Sequence, residues 1–196
     1  MTVRRSPIFR FLALVAVHLV LALPFKVMNL IPGFTDIRPV TALGPVYAVF
    51  FGPIGCLATA CGNLAADAFA HALRWSSIAG FAANFFGPLL VWLYWTRLSR
   101  VPFALRTFRD LFWHSLAVTA MALLETAIIT PAVALIYPSV DASFFALTVF
   151  LNTTGFPIFL GIPLAILLQE ELGFVPLPPK RRAPANLPPA TGKPAT

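Results

Sequence analysis

The sequence predicts an all-α integral membrane fold: a bundle of six transmembrane helices, the second short or re-entrant, with both termini in the cytoplasm. Three observations carry this expectation. The 196 residues are 59% hydrophobic and only 11% charged, with a mean hydropathy of +0.84, whereas a soluble domain of this length carries about 25% charged residues. The apolar residues gather into six segments, 8–29, 39–51, 53–73, 78–97, 111–137 and 143–169, against the roughly 20 residues a span requires. The basic residues cluster between alternate segments, as the positive-inside rule demands.

The first segment has an apolar core from Phe11 to Phe25, preceded by Arg4, Arg5 and Arg10. It reads as a retained span and not a cleaved signal peptide, because no A-x-A pattern lies near Pro24 and further apolar segments follow at once. The second is bounded by Arg38 and the Gly52-Pro53 pair, and is cut again at Gly44-Pro45. It is a half-helix or one arm of a re-entrant hairpin, and charge does not separate the two. The third to sixth are of spanning length. From Phe174 onward the chain is rich in Pro, Ala and Lys/Arg and reads as a disordered cytoplasmic tail (174–196) after a membrane domain (1–173). Its basic run, Lys180 to Arg182, suits anionic lipid.

Orientation follows from the cations. Arg4, Arg5, Arg10, Arg97, Arg100, Arg106, Arg109, Lys180, Arg181, Arg182 and Lys193 fall inside if the N-terminus is inside; only Lys26, Arg38 and Arg74 fall outside. Because the basic residues sit at helix ends and form no single patch, the net charge of +7 points to lipid headgroups and not to nucleic acid.

That orientation sorts the few polar residues within the segments. Asn63 and Asp67, four apart on one helix face, lie in the outer half of the third. Asn84 is near the outer end of the fourth, Glu125 is near the middle of the fifth with Thr126 and Thr130 above it, and Asn152 is in the outer half of the sixth. The first loop adds Asn29, Asp36 and Arg38 on the same side. An intramembrane Asn commonly bonds only a neighbouring helix. An ionised carboxylate at bilayer centre costs at least ~2.5 kcal/mol, so Glu125 must be protonated, paired or facing a wet cavity. His18 and His114 read as structural. His71, near Trp75, reads as a solvated surface residue or a rim contact.

Cys56 and Cys61, five apart, fall on different helix faces, which argues against a disulfide, and no metal-ligand spacing is present. Gly55, Thr59, Gly62 and Ala66 form a stripe of small residues suited to internal packing or to docking a second membrane protein. The sequence contains no G-x-x-x-x-G-K-[ST], H-E-x-x-H or G-x-S-x-G, no two similar halves, and no paired nucleophile and base. No catalytic residue and no cofactor is expected.

The stretch GPVYAVFFGPIGCLATACGNLAAD and the later NTTGFPIFLGIP, with the chain's size and six segments, resemble the substrate-binding S components of energy-coupling factor (ECF) vitamin transporters over roughly residues 8–170. The pair Gly62-Asn63, with Asp67 one turn later, stands where the family has a Gly-Asp or similar polar pair. The resemblance implies a six-helix bundle with an outward-facing pocket for a vitamin or related metabolite, lined by residues such as Asn63, Asp67, Asn84, Glu125 and Asn152. It also implies a lid from Lys26 to Arg38, including Asn29. Partners would be a transmembrane coupling subunit, docked on Ala13 and Ala16 of the first helix, and two ATPase subunits. Ala13 and Ala16 depart from the family's small-residue spacing of four. The competing expectations are a membrane sensor or structural subunit, for which a signalling domain would speak, and an intramembrane enzyme.

Overall fold

The computed structural model describes residues 6–27, 29–31, 35–99 and 101–178. Helix α1 (Pro7–Ala22) starts on a proline at its first turn, where the missing N–H costs nothing, and tightens into a 3-10 turn through Val27. A two-stranded antiparallel ribbon follows, β1 (Asn29–Ile31) with β2 (Thr35–Asp36). A 3-10 turn from Pro39 leads into α2 (Leu43–Phe51). Then come α3 (Pro53–Phe69), α4 (Ser76–Leu93), α5 (Phe108–Ile136), α6 (Ala142–Phe156) and α7 (Ile162–Glu170). A π-helical turn extends α4 to Leu98, and another joins α6 to α7 through Pro157–Gly161.

Four of these helices are long and apolar enough to cross a membrane: Pro7–Lys26, Ser76–Leu98, Phe108–Ile136 and Ala142–Glu170. They present large apolar side chains outward, among them Leu12, Val20, Ile78, Phe86, Leu123 and Leu151. A water-soluble surface would not carry such a continuous apolar coat. The chain is therefore a helical membrane protein. All six apolar segments form helices, and their ends match the expected ones within a few residues except in the third. That helix stops at Phe69, because the chain turns at Ala70 and His71. His71 adopts a φ of 52°, a left-handed conformation that His tolerates better than most residues.

The short α2 is the inner element. Every residue from Leu43 to Phe50 is buried, so its uniformly apolar sequence reflects burial among helices and not exposure to lipid. It joins α3 through Gly52, whose φ of 63° is cheap only for glycine. A Cβ there would also crowd Trp92 and Leu177. Together α2 and α3 form a hairpin whose two open ends, Arg38 and Asp67, return to the same end of the bundle.

The small-residue stripe on α3 faces inward. Gly55 lies against the Tyr47 backbone and Gly62 against His18, so it serves internal packing. At the opposite end of the bundle a second core contains Phe50, Trp95, Phe103 and Met121. There Trp95 Nε1 donates to His114 Nδ1 at 3.1 Å, which gives His114 the structural role expected of it. Arg97, Arg106 and Arg109 also lie at that end, and Arg106 makes a bidentate pair with Glu170 at 2.8 and 3.0 Å.

Of the tail expected from Phe174, only residues 174–178 are among those described. Phe174 makes edge contacts with Phe50 and Phe51, and Leu177 N–H donates to the Val49 carbonyl at 3.0 Å. Residues up to 178 thus pack on α2; the rest of the expected tail, with its basic run, lies outside the described residues, as do Arg4, Arg5 and Arg100. Cys56 and Cys61 are both free thiols.

Candidate functional site: a polar cavity at one end of the bundle

Asn63 and Asp67 lie in the second half of α3, Asn84 in the first half of α4, Glu125 beyond the middle of α5 and Asn152 in the second half of α6. The structure brings these points together around a cavity of about 290 Å³. Its lining includes six of the seven residues expected from the sequence: Arg38, Asn63, Asp67, Asn84, Glu125 and Asn152. Asn29 is in β1, but its side chain lies outside the described residues. Ala13 and Ala16 are exposed on α1 and do not line the cavity.

The six differ in what they do there. Asn152 is committed to the protein: its Nδ2 donates to the Thr148 carbonyl at 3.0 Å, and its Oδ1 accepts from Arg38 N–H at 3.0 Å. Thr41 Oγ1, within reach of the Arg38 and Asn152 carbonyls at 2.8 and 3.0 Å, ties the same corner together. Asn152 therefore positions Arg38, fixing the start of the α2 approach against α6. Asp67 is committed as well. It forms an ion pair with Lys26 at 2.5 Å, with the two side chains only 9% and 11% exposed, and accepts from Ser77 Oγ at 3.3 Å. The pair clamps the end of α1 to the end of α3.

Glu125 and Asn63 stand apart. Glu125 is 5% exposed and Asn63 6%, both line the cavity, and neither has a hydrogen bond or ion pair among the described residues. Both side chains therefore present polar atoms to the cavity, where water or a solute can hydrogen-bond to them. Asn84 is intermediate: Nδ2 donates to the Gly80 carbonyl at 2.7 Å, while its Oδ1 accepts nothing among the described residues.

Glu125 fits because of Gly87 on α4. A Cβ at position 87 would overlap the Glu125 carboxyl and meet its Cγ at 2.6 Å, so only glycine lets α4 and the carboxylate side chain share that space. Gly87 signalled nothing by itself in the sequence; its significance appears only when α4 is laid beside α5.

Several cavity residues were not singled out in the sequence, His18 and Ser77 among them. His18, expected to be structural, lines the cavity at 1% exposure. Both ring nitrogens are buried with no hydrogen-bond partner among the described residues. The signal available was its place between Leu14 and Ala22 on the one buried stripe of α1. Ser77 was also missed, being one more polar residue at a helix start. Among the described residues no three His, Cys, Asp or Glu side chains gather as a metal site.

The cavity is thus enclosed by α1, α3, α4, α5 and α6. It is polar, and its lining includes the partly buried Lys26 and Arg38, the buried Asp67 and Glu125, and the exposed Arg74. Such a site can hold a small polar molecule. Comparison with known proteins gives no match: no protein-family model, no curated protein and no solved structure corresponds to this chain.

Proposed function

We propose that this chain is the substrate-capturing membrane subunit of an ATP-driven importer of the ECF type, taking up a vitamin or related small metabolite. The observation that carries the reading is the pair Glu125 and Asn63, little exposed, cavity-lining and without a hydrogen bond among the described residues. An ionisable and an amide side chain that converge on one cavity inside a membrane bundle favour a binding role over a purely structural one.

The six-span topology, with both termini in the cytoplasm, belongs to this proposal. In it α2 and α3 each cross as half of the inner hairpin. Arg97, Arg106 and Arg109 would face the cytoplasm, and the cavity end, with fewer cations, would face outward. Because the sequence lacks a phosphate-binding loop for ATP, energy would come from two ATPase subunits through a coupling membrane subunit docked on the α1 face that includes Ala13 and Ala16. Affinity purification of the tagged chain from its native membrane tests this. Recovery of an ATPase and a second membrane protein in stoichiometric amount is expected; recovery of the chain alone would count against it.

A further inference from the structure

Two glycines on the inward face of α4 meet unlike surroundings. That face is the stripe Ala83, Gly87 and Val91, all buried, while Ile78 and Phe86 on the other side are exposed. At helical spacing Gly80 continues the inward stripe towards the start of α4. At Gly87 the stripe touches α5, since a Cβ there would overlap the Glu125 carboxyl. At Gly80 a Cβ would meet no atom within 4 Å among the described residues, and Gly80 lines the cavity. The room beside Gly80 is therefore part of the cavity.

What faces that room is apolar. Helices α4 and α5 pack along one another. Gly80 stands seven residues before Gly87 and Val133 eight residues after Glu125, and both line the cavity. The two are on one level, about 10–12 Å along the bundle from the Gly87–Glu125 contact. Val133 belongs to an apolar cluster with Phe145 and Val149 of α6, and all three line the cavity. Asn84 lies one turn deeper on α4, its Nδ2 bonded to the Gly80 carbonyl, and Glu125 lies deeper still, beside Gly87. The cavity thus has an apolar zone at Gly80 and a polar zone below it.

We propose that the space between Gly80 and the wall of Val133, Phe145 and Val149 is an apolar subsite. It takes a compact, ring-sized apolar group of a molecule whose polar end meets Asn63, Asn84 and Glu125. The ligand is amphipathic, and Gly80 sets the size of the group admitted, because any larger side chain there would fill the same volume. The inference rests on the reading of this cavity as a binding site and adds the shape and polarity of what it holds.

The test tethers probes at the subsite. In the full chain in detergent micelles, with Cys56 and Cys61 replaced by Ala, Gly80→Cys is reacted with methyl, benzyl and 2-sulfonatoethyl methanethiosulfonate, and the melting temperature of each adduct is measured. The thiol should react with all three. The benzyl adduct should melt about 3 °C or more above the methyl adduct, as burial of an apolar ring gives in a chain of this length, and the sulfonatoethyl adduct no higher than the methyl one. Val133→Thr, which keeps the shape of the wall and makes it polar, should roughly halve the benzyl gain, and at the outward position Ile78→Cys the three adducts should melt alike. An unreactive thiol at position 80, a benzyl adduct melting at or below the methyl one, equal stabilisation by the sulfonatoethyl group, a gain undiminished in Val133→Thr, or the same gain at position 78 would each overturn the subsite. None of these results alters the recovery of ATPase partners, and a failed recovery of those partners would strike the importer reading while leaving the subsite standing.

Discussion

At the scale of single residues, the cavity depends on contacts that can be broken one at a time. Gly87 makes room for Glu125, so Gly87→Ala should destabilise the protein by about 1–3 kcal/mol, as overpacking does. Adding Glu125→Ala to that variant removes the overlapping carboxyl. The double variant should therefore be more stable than the sum of the single effects, a non-additivity that thermal unfolding in detergent would register. The Lys26–Asp67 pair is a second case. Removing one partner of a buried ion pair leaves a bare charge and costs about 3–5 kcal/mol. Asp67→Leu should thus lower the melting temperature clearly, whereas Lys26→Met with Asp67→Leu should recover much of the loss. Equal damage from the single and the double change would show that the ion pair does not hold α1 to α3. Much of this chemistry was legible in the sequence. Polar residues are so rare within the apolar segments that depth and helix side alone gathered Arg38, Asn63, Asp67, Asn84, Glu125 and Asn152. Their division of labour was not legible. Whether an Asn holds the backbone, as Asn152 does, or waits in the cavity, as Asn63 does, depends on which main-chain groups fold back beside it.

At the scale of elements, the α2–α3 hairpin and the ribbon organise the site. Gly52 turns the hairpin at positive φ with Trp92 and Leu177 against it. Gly52→Ala should cost about 1–3 kcal/mol by backbone strain alone, and chemical denaturation with an unaltered slope would report it as a stability change. The ribbon is held at both feet, through Lys26 on one side and the Arg38–Asn152 bond on the other. Asn152→Ala should free the second foot, so amide hydrogen exchange at residues 29–38 should accelerate while exchange in α5 stays unchanged. Uniform acceleration throughout the bundle would indicate general destabilisation and no local anchor. The sequence delimited these helices well, since Gly-Pro pairs and charges punctuate the apolar runs. It placed neither the ribbon nor the packing of Phe174 and Leu177 on α2. Both arise from tertiary contacts between segments with no periodic pattern of their own. The end of α3 was missed for a related reason: His71 carries no obvious stop signal, and its left-handed conformation follows from the turn into α4.

At the scale of the whole molecule, the fold has two unlike ends. One holds the polar cavity, lined by Lys26, Arg38, Asp67 and Glu125 among others. The other holds the aromatic core around Trp95 and Phe103 and the exposed cations of the α4–α5 connection. A bundle polarised in this way is suited to receiving a ligand at one end and meeting partner subunits elsewhere. The outward cavity is testable by topology: single cysteines at Trp75 and at Arg106, in a background with Cys56 and Cys61 replaced, should differ in labelling of intact cells by an impermeant maleimide. Position 75 should react and position 106 should not; the opposite result would invert the orientation. The central claim, that the cavity holds a small polar molecule through Glu125 and Asn63, is tested most directly by mass spectrometry of the small molecules released from the full chain after extraction from its native membrane. The wild-type chain should release one compact compound near equimolar amount, and the folded Asn63→Ala, Glu125→Gln double variant should release at most about a tenth as much, the loss expected when a ligand's polar contacts are removed. Equal retention by wild type and variant, or none by a folded wild-type chain, would contradict it.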